Sequence, residues 1–245
     1  MTVLIDLATV SVERAGRGVV CDVDLRIPKA SWTGIIGANG SGKTSLLRAL
    51  AGRLPFAGGS CRILGDECAG DRAGRASRIG FAPPADKLPD ALRGRDLLAF
   101  LGTGLERPGA RLLREALGLD MLLGRWIGDC SAGMRQRIAV AAAFAEGKDI
   151  VVLDEPFNWL DPVAAFDLRE ALRAMVDEGL TLITALHDLS TLAIACDAGL
   201  MLADGRAVLK LDKAVLRSAA ADLAGFERRT IHALRSGAVG HPPPE

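Results

Sequence analysis

No apolar run in this sequence reaches the ~18–20 residues that a helix needs to cross a bilayer, so any membrane role is expected to come through a partner. Nor is either charge in excess: Lys+Arg and Asp+Glu each total 30. That balance gives no general attraction to polyanions, and no nucleic-acid partner is expected. Cysteines are few and follow no pairing pattern. Cys21, Cys61, Cys68, Cys130 and Cys196 form no C-x-x-C, and the three histidines are too scattered to complete a metal site with them. With no N-terminal signal segment either, the expectation is inert, buried thiols in a reducing cytoplasm. No internal repeat divides the 245 residues, and 49% of them are apolar, which is ample for a sizeable core.

What is present is a change of hydrophobic period along the chain. "VLIDLATVSV", "GVVCDVDLRI" and "WTGII" predict strands, the first two an antiparallel flap leading into a core strand. After "GANGSGKT", Leu46, Leu47 and Leu50 share one face of a helix that Gly52 stops. "DIVVLDEP" and "LTLITALHD" are nearly continuous apolar runs, as in strands covered on both faces of a parallel sheet. A crossover helix is predicted between them: Asp161 caps it, Pro162 opens it, Gly179 ends it, and Phe166, Leu172, Met175 and Val176 form its apolar face. Strand, helix and strand in that order imply a right-handed α/β core.

Residues of about 85–148 read mainly as helix, an inserted helical subdomain whose last helix begins near Met134. Past residue 199, "GLMLADGRAVL" predicts a hairpin turning on Asp204-Gly205. The main unit thus spans 1–212. Residues 213–245 form a helical extension with a mobile tail, "SGAVGHPPPE".

Chemistry concentrates in four places. Gly37, Ala38, Asn39, Gly40, Ser41, Gly42, Lys43 and Thr44 fit the phosphate-binding G-x-x-x-x-G-K-[ST] loop, with Ser45 next in the helix it opens. Its amides can cradle phosphates, Lys43 can reach the β- and γ-phosphates, and the Thr44 hydroxyl can ligate Mg²⁺. Asp154 ends a core strand, where it can hold the same Mg²⁺, and Glu155 can polarise an attacking water; the plain alternative is a strand stop. His187 ends another core strand, on the edge expected to carry the loop and Glu155, although a lone histidine is more often structural. "CSAGMRQR" puts Ser131 and Gly133 at a helix start, either an ordinary serine cap or a second anion site.

Together these residues resemble the ATP-binding cassette (ABC) ATPase family, over about residues 3–210. "GANGSGKT" is similar to its Walker A motif, "IVVLDEP" to its Walker B with the catalytic glutamate, "CSAGMRQR" to its signature, "NWLD" to its D-loop and "ALHD" to its switch-histidine loop. The resemblance implies a P-loop NTPase of RecA-like α/β core, with an antiparallel β subdomain and a helical signature subdomain. It implies ATP and Mg²⁺ as ligands, Glu155 and His187 as catalytic residues, and a head-to-tail homodimer. In that dimer Ser131 and Gly133 contact the partner's γ-phosphate, and Asp161 lies in the D-loop. It further implies a separate membrane-spanning permease docked near Leu88–Leu97, which holds the subunit on the inner face of the cell membrane.

Two positions depart from the family. The chain has no tyrosine, and the place of the usual base-stacking aromatic is taken by Arg14. Where the Q-loop glutamine is usual stands Pro84, which offers no amide and implies slow hydrolysis; Asp86 could substitute for it. The short insertion and "GMRQR" lean toward export cassettes. A soluble, non-transport ABC ATPase and a slow-turnover, nucleotide-gated binding module are the alternatives.

Overall fold

Alternating apolar and polar residues build the first hairpin. β1 (Val3–Arg14) and β2 (Arg17–Pro28) pair antiparallel, with Val12 opposite Val20 and Arg14 opposite Arg17. Ala15 and Gly16 turn between them at φ 49° and 74°, the backbone a tight hairpin requires. The computed structural model describes residues 2–236, so the expected mobile tail lies outside the described residues. After the hairpin come β3 (Trp32–Ile36), α1 (Lys43–Leu50), β4 (Gly58–Ile63), β5 (Asp66–Glu67), α2 (Arg72–Arg78) and β6 (Ile79–Phe81). Helices α3 (Gly94–Leu101), α4 (Arg111–Ala116), α5 (Leu119–Leu122) and α6 (Ala132–Ala145) then precede β7 (Ile150–Asp154). The rest is α7 (Pro162–Asp177), β8 (Thr181–Leu186), α8 (Leu189–Ala195), β9 (Ala198–Ala203), β10 (Arg206–Leu211), α9 (Lys213–Ala221) and α10 (Leu223–Ser236).

These strands form two sheets. One is antiparallel, in the order β2-β1-β4-β5; the other, β10-β9-β3-β8-β7-β6, is parallel except for its edge strand β10. The parallel sheet is covered on both faces, which is why its strands read as unbroken apolar runs. On one face Ile35, Val152, Ile183 and Leu200 pack with Leu46, Leu47 and Leu50 of α1 and with the antiparallel sheet. On the other, Trp32, Leu153 and Leu182 pack with Phe144 of α6, Leu168 and Leu172 of α7 and Leu192 of α8. The indole N–H of fully buried Trp32 donates to Thr184 Oγ1 at 2.9 Å, so even this polar atom is satisfied in the core.

Local signals set the helix ends. Asp161 Oδ1 accepts from the amides of Val163 and Ala164 at 3.0 and 2.9 Å, with Pro162 in the first turn of α7. The β9–β10 hairpin turns on Asp204-Gly205, both at positive φ. Two expectations need correction. Phe166 is 53% exposed and lies off the buried face of α7, which Ala164, Leu168, Ala171, Leu172 and Val176 form; the Arg169 guanidinium stacks on its ring instead. The last helix of the helical stretch begins at Ala132, not near Met134, because Ser131 caps it. As for the thiols, Cys61, Cys68, Cys130 and Cys196 are buried and Cys21 is half-buried.

Candidate active site

Three parallel strands end side by side, and a polar group follows each end. β3 runs into Gly37–Thr44, β8 into His187, and β7 ends on Asp154 with Glu155 next. The pairs Ile36–Leu186 and Ala185–Asp154 hold these ends level. The crevice beyond the carboxyl ends of such strands is where an open α/β sheet binds ligands.

Glycine is a geometric requirement in the loop after β3. Gly40 and Gly42 have φ of 82° and 103°, and a Cβ at Gly37 or Gly42 would lie 2.2 Å from the Leu202 carbonyl oxygen or 2.6 Å from that of Val19. The loop is therefore wedged between the β9–β10 and β1–β2 hairpins. It leads into α1, whose first turn takes no side-chain cap, which leaves amide groups free for an anion. Lys43 is 4% exposed, and its Nζ donates to the carbonyls of Gly37 (2.7 Å) and Ala38 (3.2 Å). Ser41 Oγ is buried without a hydrogen-bond partner, and Ser45 is buried in the first turn of α1. An orphaned hydroxyl beside free amides fits a phosphate group.

Thr44 Oγ1 donates to Asp154 Oδ1 at 3.2 Å. Burial pushes the Asp154 carboxyl above the ordinary aspartate range, partly offset by that hydrogen bond. A divalent cation beside it would reverse the shift, and a hydroxyl and a carboxylate are the hard oxygen donors that Mg²⁺ takes. Glu155 follows at φ 54°. Its Oε2 accepts from Asn158 Nδ2 at 2.8 Å and lies 2.7 Å from His187 Nε2. Thr44, Asp154, Glu155 and Asn158 line a cavity of about 350 Å³ with Arg48, Pro84 and Gln136. Pro84 opens a 3-10 turn over Ala85–Lys87, and Asp86, also lining the cavity, pairs with Lys87 at 3.1 Å.

Thr44, Asp154 and Glu155 thus meet at one cavity, with His187 beside Glu155, whereas four other sequence-derived residues lie away from it. Ser131 and Gly133 start α6, where Ser131 Oγ accepts from the Met134 amide at 3.3 Å. Arg14 is exposed at the tip of the β1–β2 hairpin. Asp161, besides capping α7, pairs with Arg137 of α6 at 3.3 Å. Two neighbours of Glu155, Gln136 and Asn158, lie inside "CSAGMRQR" and "NWLD" but are not among the site residues read from the sequence. The signal for Gln136 was available: it is a polar residue on the same helical face as the apolar Val140 and Ala143. Asn158 opens "NWLD", but its bond depends on the turn of Glu155, which the motif does not announce.

A family model described as ABC transporter matches residues 20–158, more than half of the chain. The chain belongs to the ABC transporter family. This cassette is 33% identical to the zinc transport system ATP-binding protein TroB of Treponema pallidum (strain Nichols) over 75% of the chain and 72% of that protein. It is 34% identical to the phosphonates import ATP-binding protein PhnC of Rhizobium etli, over 80% of the chain and 76% of that protein. Against the Nod factor export ATP-binding protein I of Cupriavidus pinatubonensis the identity is 31%, over 84% of the chain and 67% of that protein. Import and export names both occur, so the lean to export finds no support in them.

Solved structures agree on the fold. An ATP binding subunit of an ABC transporter matches 91% of this chain and 98% of its own with a TM-score of 0.77 at 24% identity. A cassette solved as a dimer in a post-hydrolysis state with ADP and Pi matches 86% and 99% with a TM-score of 0.76 at 21% identity. Among the described residues of the cassette, no helix is long and apolar enough to cross a membrane.

Proposed function

We propose that the cassette binds and hydrolyses ATP as a subunit of an ABC transporter and so energises a separate membrane-spanning permease, which holds it on the cytoplasmic face of the membrane. The observation that carries this reading is the convergence of the Gly37–Thr44 loop, Asp154, Glu155 and His187 on one sheet edge.

The loop amides and Lys43 bind and orient the phosphates, and Lys43 exchanges its bonds to Gly37 and Ala38 for phosphate oxygens. Thr44 and Asp154 would hold Mg²⁺, which supplies charge neutralisation on the phosphates. Glu155 accepts the proton of the attacking water, and His187, whose Nε2 lies 2.7 Å from Glu155 Oε2, helps to orient that carboxylate. Arg14 stacks on the base. Two cassettes pair head to tail: Ser131 and Gly133 reach the partner's ATP, Asp161 lies between the subunits, and the permease docks near Leu88–Leu97. Pro84 faces the nucleotide with no side-chain amide and slows turnover.

Steady-state ATPase measurement tests the reading. Glu155→Gln is expected to lower kcat by about 10²–10⁴-fold with ATP still bound, and Pro84→Gln to raise it. Wild-type turnover by Glu155→Gln would remove Glu155 from the reaction, and an unchanged rate in Pro84→Gln would clear Pro84. Copurification with a multi-spanning protein from detergent-solubilised membranes tests the permease.

A further inference from the structure

Glu155 occupies a backbone region that a non-glycine residue enters only when its surroundings hold it there. Two side-chain amides hold it. Gln136 of α6 is 9% exposed, and its Nε2 donates to the carbonyl oxygens of Glu155 (3.2 Å) and Pro156 (3.3 Å). Asn158 donates to Oε2 of the Glu155 carboxylate, the same oxygen that His187 engages.

The segment that carries Glu155 is clasped to α6 at two further points. A Cβ at Gly133 would lie 2.6 Å from the Trp159 carbonyl oxygen, so the loop comes this close only because residue 133 is glycine. Arg137, one residue past Gln136, pairs with Asp161 at 3.3 Å. Gly133, Gln136 and Arg137 of one short stretch of helix thus bind Trp159, Glu155, Pro156 and Asp161 of one loop.

We infer that Gln136 and Asn158 are positioning residues for Glu155, Gln136 through its backbone and Asn158 through its carboxylate, so that the start of α6 and the general base of the same chain move as one body. This rests on reading Glu155 as the general base.

The test compares Gln136→Met, which keeps length but removes the donor, and Asn158→Leu with the wild-type full chain under its ATPase conditions. Each is expected to lower kcat about 10–100-fold with KM for ATP within about twofold, the pattern of a defect confined to the transition state. The double variant should lose no more than the worse single one, since both act on one group. Introduced into Glu155→Gln, neither should lower the residual single-turnover rate further. Asn158→Ser, on a half-buried loop and still a donor, should recover much of the loss and carries the test if Gln136→Met does not fold. A rise in KM at unchanged kcat, or an equal loss in the Glu155→Gln background, would overturn the positioning role. Full activity of Glu155→Gln itself would overturn the reading of Glu155 instead.

Discussion

α1 and α6 both follow a small residue and both look ready for an anion, yet they begin differently. The residue before α1 is Gly42 at φ 103°, with no side chain to cap the helix, and the loop ahead of it winds back on itself through Lys43 and two carbonyls. The residue before α6 is Ser131, whose hydroxyl already accepts from the Met134 amide. One start is open by construction; the other is closed by its own cap. A phosphate can therefore meet an uncapped start at α1, whereas at α6 the Met134 amide is already taken and the Ser131 O–H is the side-chain donor left. That asymmetry suits a site used only when a second subunit arrives.

The sharpest way to break the comparison is to disable the open start. Lys43→Ala is expected to weaken ATP binding by about 100-fold, some 2.7 kcal/mol, in isothermal titration, because it removes the one cation buried in the loop. Ser131→Arg should leave ATP binding by the monomer unaltered and abolish dimerisation on ATP, read by size-exclusion chromatography under conditions that trap bound nucleotide. Loss of binding by the monomer would mean that the two starts serve one nucleotide. Ser131→Ala isolates the cap alone and should cost about 1 kcal/mol in urea unfolding, equally at neutral and acid pH.

The smallest effect concerns a third helix start, α7, which is capped by a charge. The amides of Ala164 and Val163 and the guanidinium of Arg137 hold the Asp161 carboxyl below the ordinary aspartate range. A depressed value means that its stabilisation is present above about pH 4, the unfolded aspartate value, and fades as pH falls through the lower folded value. Asp161→Asn should keep the cap and flatten that acid limb slightly. A fall in stability with pH identical to wild type would show that the acid limb arises elsewhere.

Much of this was legible in advance because it rests on backbone rules. "GANGSGKT" can only be a tight loop, and the apolar runs ending at Asp154 and Leu186 can only be strands covered on both faces, so convergence of Thr44, Asp154, Glu155 and His187 followed from strand order. What was illegible depends on side-chain choices made after folding. Phe166 is apolar but stands off the face of Leu172 and Val176, and hydrophobicity alone does not say that Arg169 will stack on its ring. Asn158 and Gln136 matter through the unusual φ of Glu155, and nothing in "LDEPFNW" announces a positive φ at a glutamate.

The strand order also bears on how the molecule is made. β3 carries the phosphate loop and β7 carries Asp154, but they are not neighbours: β8, residues Thr181–Leu186, separates them and pairs with both. During synthesis the first 180 residues therefore contain both halves of the site and cannot bring them into register. The edge that carries Thr44, Asp154 and Glu155 needs β8, which pairs with both strands. A chain that stops short of β8 therefore holds Thr44 and Asp154 on strands that nothing joins.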